Sequence, residues 1–346
     1  MAADVDALLA TMVAPSRPVP IERAAALMRE RYDFEPHAVT RLTGERDENF
    51  RLAGAHGAEY VLKIANPAEN PAESAFQTEA LLYLEKNAPA LPCPRVVPGR
   101  DGGTHVRFVD EGRERTARLL SYLPGRLLGT ATRSPRQRAA CGRVGGQLAL
   151  ALRGFEHPAA LRPIVWDVRH TGHMRRLLEE LPGLPCRPAA SALLERLTPP
   201  IDSQLPLVRH QIVHNDLNPL NILVDPADET RVTGIIDFGD MTRTALIADV
   251  AVCAAELIPP DCADPGMARA AVVDVAMAYH EQVPLGSGER SLLGTLVAAR
   301  LLMTVVIHEW HVQRNPASGH FQPLAAELIR ARLAVAEEML LEEMRL

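Results

Sequence analysis

The string His214-Asn215-Asp216-Leu217-Asn218-Pro219-Leu220-Asn221, followed after two short apolar runs by Asp237-Phe238-Gly239-Asp240, constrains this chain more than any other feature. Asn221 to Val224 and Arg231 to Ile236 have strand composition, and the turn-forming Asp225-Pro226-Ala227-Asp228 separates them. The spacing predicts a loop carrying Asp216, a strand opened by Asn221 and a partner strand ended by Asp237. Three oxygen-bearing side chains then converge. Asn and Asp also favour turns for their own sake, but turns alone do not require two polar motifs in this order around apolar strands.

Phosphoryl transfer needs an acceptor for the hydroxyl proton, metal ions bridging the phosphates and a cation on the phosphate tail. In the kinase template the Asp of His-x-Asp takes the proton, an Asn five residues on binds metal, and the Asp of Asp-Phe-Gly binds the bridging metal. Those positions are Asp216, Asn221 and Asp237. Asn plus Asp is the expected protein share of a Mg²⁺ shell, which keeps places for phosphate and water. Lys63 ends the β-like run Tyr60-Val61-Leu62-Lys63 and suits the phosphate-contacting lysine, with Glu79 on the next helix as its expected ion-pair partner. Leu42-Thr43-Gly44-Glu45-Arg46-Asp47-Glu48-Asn49-Phe50 has one glycine, so a protein-kinase glycine loop is absent. Its backbone N–H groups are still expected at phosphates, with Arg46 or Asn49 assisting. No Gly-x-x-x-x-Gly-Lys-Ser/Thr occurs, which excludes the P-loop solution.

A chain of 346 residues is long enough for two lobes. Pro20 to Arg31 and Pro71 to Lys86 read as helices. Ala38 to Leu42, Asn49 to Leu52, Glu59 to Ile64, Thr104 to Val109 and Thr116 to Leu123 read as strands, so the first 120 residues predict an antiparallel sheet crossed by a helix. Beyond Tyr122-Leu123-Pro124-Gly125 helices dominate, over Pro135 to Arg153, Asp167 to Glu180, Ala245 to Leu257, Met267 to Gln282 and Glu289 to Gln313. Pro182 to Pro206 reads as a mobile connection. Gly142, Gly145 and Gly146, inside a helical pattern, are expected to permit close packing.

The net charge of -6 argues against nucleic acid or an anionic membrane as partner. Met1 to Pro18 does not read as a signal peptide, and Arg300 interrupts the apolar run Thr295 to Ile307, so a cytoplasmic location is expected. Cys93, Cys141, Cys186, Cys253 and Cys262 are odd in number and lack a Cys-x-x-Cys pair, which predicts reduced thiols in or near the core.

On these motifs the chain resembles the aminoglycoside phosphotransferase and choline kinase-like family from roughly Val39 to Ala251. The string Leu42 to Phe50, with Trp166-Asp167 and Ile236 to Met241, is similar to the hydroxylysine kinase branch. The resemblance implies a bilobal, protein-kinase-like α+β fold. A nucleotide-binding lobe would span 1–120, a hinge 121–125, and a helical substrate lobe 126–346. It implies ATP or GTP at the hinge, where Ser121 and Leu123 lie, and an amino alcohol of the hydroxylysine, homoserine or choline kind with its hydroxyl at Asp216. Asp240, Asp249 and Glu256 are the carboxylates available to its ammonium group, and Trp310 or His308 could wall its pocket. The rival readings are an aminoglycoside or other sugar phosphotransferase, sharing every catalytic residue, and a catalytically silent nucleotide-binding regulator. The presence of Asp216, Asn221, Asp237 and Lys63 together disfavours the latter.

Overall fold

Apolar side chains at positions 24, 27 and 28 give the first helix, α1 (Ile21–Tyr32), a buried stripe at helical spacing. That stripe packs on an antiparallel sheet of β1 (Ala38–Leu42), β2 (Glu48–Ala53), β3 (Glu59–Ile64), β4 (Val96–Val97), β5 (Val106–Asp110) and β6 (Arg113–Ser121). A second helix, α2 (Pro71–Asn87), starts at Asn70, whose side chain accepts the Ala72 N–H at 3.0 Å. The strand order is β1-β2-β3-β6-β4, with β5 also paired to β6. Phe50, Leu52, Leu62, Ile64, Phe108 and Leu119 join the α1 stripe in one core. Each such side chain contributes about 1.5–3 kcal/mol on burial.

The computed structural model describes Leu9 and residues 18–44, 46–110, 112–259, 261–316 and 322–341. Glu45 and Glu111, which fall in two predicted turns, and most of the amino-terminal segment lie outside the described residues. The described residues divide into two units, one running up to Pro124 and the other from Gly125 onward.

The second unit is mainly helical. It opens with β7 (Arg126–Leu127) and α3 (Pro135–Ala151), then a 3₁₀ turn at Val168–His173 leads into α4 (Met174–Glu180) and α5 (Arg187–Gln204). Next come β8 (His210–Val213), β9 (Ile222–Val224), β10 (Val232–Ile235) and β11 (Thr242–Ala245), and finally α6 (Leu246–Leu257), α7 (Pro265–Gln282), α8 (Ser287–Arg314) and α9 (Ala326–Glu338). The strands form two small sheets, ordered β10-β9-β7 and β11-β8.

Pro182 to Pro206 is not a mobile connection, because α5 fills most of it. Pro188 sits in its first turn, where a missing N–H costs nothing, and Leu193, Leu194, Leu197 and Ile201 bury a continuous stripe despite Pro199 and Pro200. The helix expected from Asp167 is delayed to Met174, since Asp167 turns its side chain onto the Arg169 N–H at 3.0 Å. The Gly142 prediction holds: a Cβ there would lie 2.1 Å from the Val275 carbonyl oxygen, so only glycine lets α3 lie this close to α7. Helix α8 is long and apolar enough to span a membrane, yet 78% of its apolar window is buried within the unit, as befits a core helix. All five cysteines are free thiols, and all but the half-buried Cys186 are buried.

Candidate active site

The loop after β8 is held from below. His214 is fully buried; its Nδ1 accepts the Asp216 N–H at 3.3 Å and its Nε2 meets the Ile236 carbonyl at 3.2 Å, with the Phe238 ring 4.8 Å away. Burial pushes its pKa down to about 4, outweighing the nearby Asp237 and Asp240. Asn215 is in the left-handed region, φ 63°, and its N–H donates at 2.8 Å to Asp249 in the first turn of α6.

These restraints present Asp216. Its Oδ1 accepts Asn218 Nδ2 at 2.9 Å and Arg300 Nη2 at 3.1 Å, while its Oδ2 accepts Asn221 Nδ2 at 2.6 Å. Burial, with Asp240 and Glu256 adding to it, raises the carboxyl to about 7 against the pull of Arg300 and Asn218. The predicted metal ligands come together through the hairpin: Ile222 pairs with Ile235, and the Ile236 N–H donates to the Asn221 carbonyl at 2.9 Å. Asp237 follows at φ 59°, exposed, its Oδ1 accepting the Gly239 N–H at 3.2 Å. Because Asn221 directs its amide N–H groups at Asp216, its amide oxygen is the atom left for a cation. Two hard oxygens from Asn221 and Asp237 suit Mg²⁺.

In the amino-terminal unit, Asn49, Lys63 and Arg118 are register partners across β2, β3 and β6 and stand in one buried row on the same sheet face. Asp47 Oδ2 lies 3.8 Å from Lys63 Nζ and 3.9 Å from Arg118 Nη2. Arg118 is fixed to α2 through the Ser74 carbonyl at 3.1 Å and through Gln77. Asp47 is thus an acid beside Lys63 that the motif reading did not assign, whereas Glu79 is exposed on α2 within electrostatic range of His105. Burial and Asp47 together raise Glu69 to about 7. Gly44 is required where it stands, since a Cβ would lie 2.5 Å from the Asp47 carbonyl oxygen. Asn49 Oδ1 is buried without a hydrogen bond among the described residues. Ser121 Oγ accepts the Arg95 N–H at 2.8 Å, and Leu123 follows β6, half-buried.

The predicted acceptor residues separate. Asp240 is buried in electrostatic range of Asp216 and Arg300. Asp249 is 1% exposed and spent on the Asn215 N–H, which makes it a loop anchor. Trp310 is buried and donates to Glu180 at 2.8 Å, roughly 15 Å along α8 from Arg300. Sequence reasoning missed Arg300. This fully enclosed guanidinium bonds Asp216 and, at 2.9 Å, Glu256, and stacks 4.7 Å from the Trp166 ring centre. Glu256 Oε1 also accepts Thr304 Oγ1 at 3.1 Å. Burial pushes the Glu256 carboxyl up, but Arg300, with Arg332 and Thr304, brings the net shift below its ordinary value. An arginine inside an apolar helix was the available signal.

An antiparallel-sheet unit followed by a mainly helical one, with this loop and hairpin, defines a protein-kinase-like phosphotransferase. Residues 38–280 match the family model described as phosphotransferase enzyme family, and the chain belongs to that family. A hydroxylysine kinase from Danio rerio is 26% identical, over 85% of this chain and 85% of its own length. Among solved structures, an amicoumacin kinase in complex with AMP-PNP, Ca²⁺ and Ami gives a TM-score of 0.68 at 16% identity, covering 92% of each chain. A microcompartment-associated aminopropanol kinase gives 0.65 at 18% identity, covering 93% of this chain and 95% of that one. The chain is a small-molecule kinase, a phosphotransferase with an alcohol group as acceptor.

Proposed function

We propose that this kinase transfers the γ-phosphate of ATP or GTP to the hydroxyl of a small amino alcohol of the hydroxylysine, homoserine or choline kind, in the cytoplasm and with Mg²⁺. One observation carries the reading. Asp216 has three of its roughly four lone-pair sites taken by Asn218, Arg300 and Asn221, and the remaining one, on Oδ2, is available to an acceptor hydroxyl.

In this reading Asp216 orients the hydroxyl and takes its proton as the hydroxyl oxygen bonds to phosphorus and the bond to the nucleotide's bridging oxygen breaks. Asn221 and Asp237 would hold the magnesium ion, which when bound offsets charge on the phosphate oxygens. The hydrogen bond from Asn221 to Asp216 couples the geometry of base and metal ligand in one side chain. Lys63 binds phosphate with Asp47 fixing its Nζ, and Asn49 contributes to the same nucleotide site. Ser121 and Leu123 would present backbone to the base.

The test is release of ADP and of GDP across hydroxylysine, homoserine, choline, ethanolamine, methylthioribose and aminoglycosides. Release is expected with an amino alcohol. Release stimulated only by a sugar would overturn the acceptor class, and none with any acceptor would point to a silent nucleotide-binding regulator.

A further inference from the structure

Arg300 meets the proposed base with only part of its fork. Two parallel N–H groups on one edge of a guanidinium match the two oxygens of a carboxylate, and such bidentate pairing is favoured when nothing competes. Here that edge is divided. Nη2 donates to Asp216 Oδ1 at 3.1 Å, while Nε, its neighbour on the same edge, donates to Glu256 Oε1 at 2.9 Å. The third nitrogen, Nη1, donates to the Trp166 carbonyl at 3.4 Å, and the Trp166 ring centre lies 4.7 Å from the guanidinium carbon. A planar group held at every nitrogen and buried on all sides has little freedom to turn.

Glu256 is itself fixed. It lies in the last turn of α6, and its Oε1 also accepts Thr304 Oγ1 at 3.1 Å, one turn beyond Arg300 on α8. Two turns earlier on α6, Asp249 holds the Asn215 N–H at 2.8 Å, so this helix reaches the catalytic loop twice, once directly and once through Arg300. The lone-pair count at Asp216 gives the divided edge a consequence. Asn218 and Arg300 fill Oδ1, and Asn221 takes one site on Oδ2. An Nε released by Glu256 would pair with the last site, the one on Oδ2 that faces no protein donor.

We propose that Glu256 is a positioning residue for phosphoryl transfer: by taking Arg300 Nε it confines the guanidinium to one N–H on Asp216 and leaves Oδ2 open to the acceptor. The inference rests on the reading that Asp216 receives the acceptor hydroxyl. Arg300 orients the base, and Glu256 stops that support from becoming a block.

The test measures kcat and KM for Glu256→Leu, for Glu256→Gln, for Glu256→Leu combined with Arg300→Met, and for Asp216→Asn, with the acceptor and nucleotide that perform best in the acceptor panel. Glu256→Leu should lower kcat by about 10²-fold, the scale of a misplaced reacting group, with the nucleotide KM within about twofold of wild type. Glu256→Gln should lose less, because its amide oxygen still accepts Nε, though without the charge. Adding Arg300→Met to Glu256→Leu should recover about tenfold of the lost kcat, since the group that closes Oδ2 is gone; a merely structural pair would not regain turnover on the second change. Replacing both members of a buried ion pair by apolar side chains is often neutral for stability, and thermal unfolding scans check that each variant is folded. If Glu256→Leu is not, Glu256→Gln is read against wild type in its place. Wild-type kcat in the Glu256 variant, or a double variant no faster than Glu256→Leu, overturns the positioning role while leaving Asp216 as the base. Undiminished turnover by Asp216→Asn overturns both.

Discussion

His214 allows a quantitative test of how the catalytic loop is supported. Nδ1 accepts the Asp216 N–H and Nε2 meets the Ile236 carbonyl, an arrangement that requires the neutral ring with its proton on Nε2. A second proton would turn the Nδ1 acceptor into a donor against a donor, in a fully buried place. The pKa of about 4 in the folded chain lies below the unfolded value of 6.5. The stability contributed is therefore fully present above about pH 6.5 and is lost as pH falls towards about 4, because over that window the unfolded chain binds a proton that the folded chain refuses. The difference corresponds to about 3 kcal/mol. Urea unfolding of wild type and His214→Asn, between about pH 7.5 and 4, measures it. Asn cannot titrate, so the wild type should lose about 3 kcal/mol more than the variant across the window. Parallel curves would refute the reasoning, whatever the absolute stabilities.

Asp216→Asn keeps the shape of the side chain but cannot take a proton, and kcat should fall by about 10²- to 10⁴-fold with the fold intact by circular dichroism; undiminished turnover removes it as the base. Gly142→Ala should cost about 1–3 kcal/mol, because α3 must move off the Val275 carbonyl. Gly183→Ala, where a Cβ meets nothing within 4 Å, should stay within about 0.5 kcal/mol, and thermal scans compare the two. Asn215→Gly should raise stability by about 1 kcal/mol, since it relieves a left-handed φ and removes a buried amide whose oxygen and nitrogen have no partner among the described residues. A loss of stability would mean that the amide has a compensating role.

The loop and hairpin around Asp216 were legible because their information is local. Asp216, Asn221 and Asp237 lie within one short stretch whose alternation of turn-forming and apolar residues dictates its own geometry. The strands of the sheet unit were legible for the same reason, whereas the register that sets Asn49 opposite Lys63 emerged only in the structure. Where sequence reasoning erred, tertiary burial overrode local preference. A proline-rich segment became α5 because its leucines found a core, and Asp47, in the loop before β2, stands beside Lys63 as an acid the motif did not assign. Helix α9 was not foreseen at all. Nothing in the spacing of positions 216, 256 and 300 announces that their charges meet.

That separation has a functional consequence. The proton acceptor and the metal ligands proposed for the chemistry lie in one contiguous segment, whereas the Arg300–Glu256 pair that supports Asp216 comes from α8 and α6. The two sets meet at Arg300, which bonds Asp216 with one nitrogen and Glu256 with another. Its aromatic support from Trp166 and its burial leave little freedom to reorient. A change at Glu256 therefore reaches Asp216 through a single rigid guanidinium: removing that carboxylate would free the Arg300 Nε now given to Glu256 and tighten the hold of Arg300 on the proposed base.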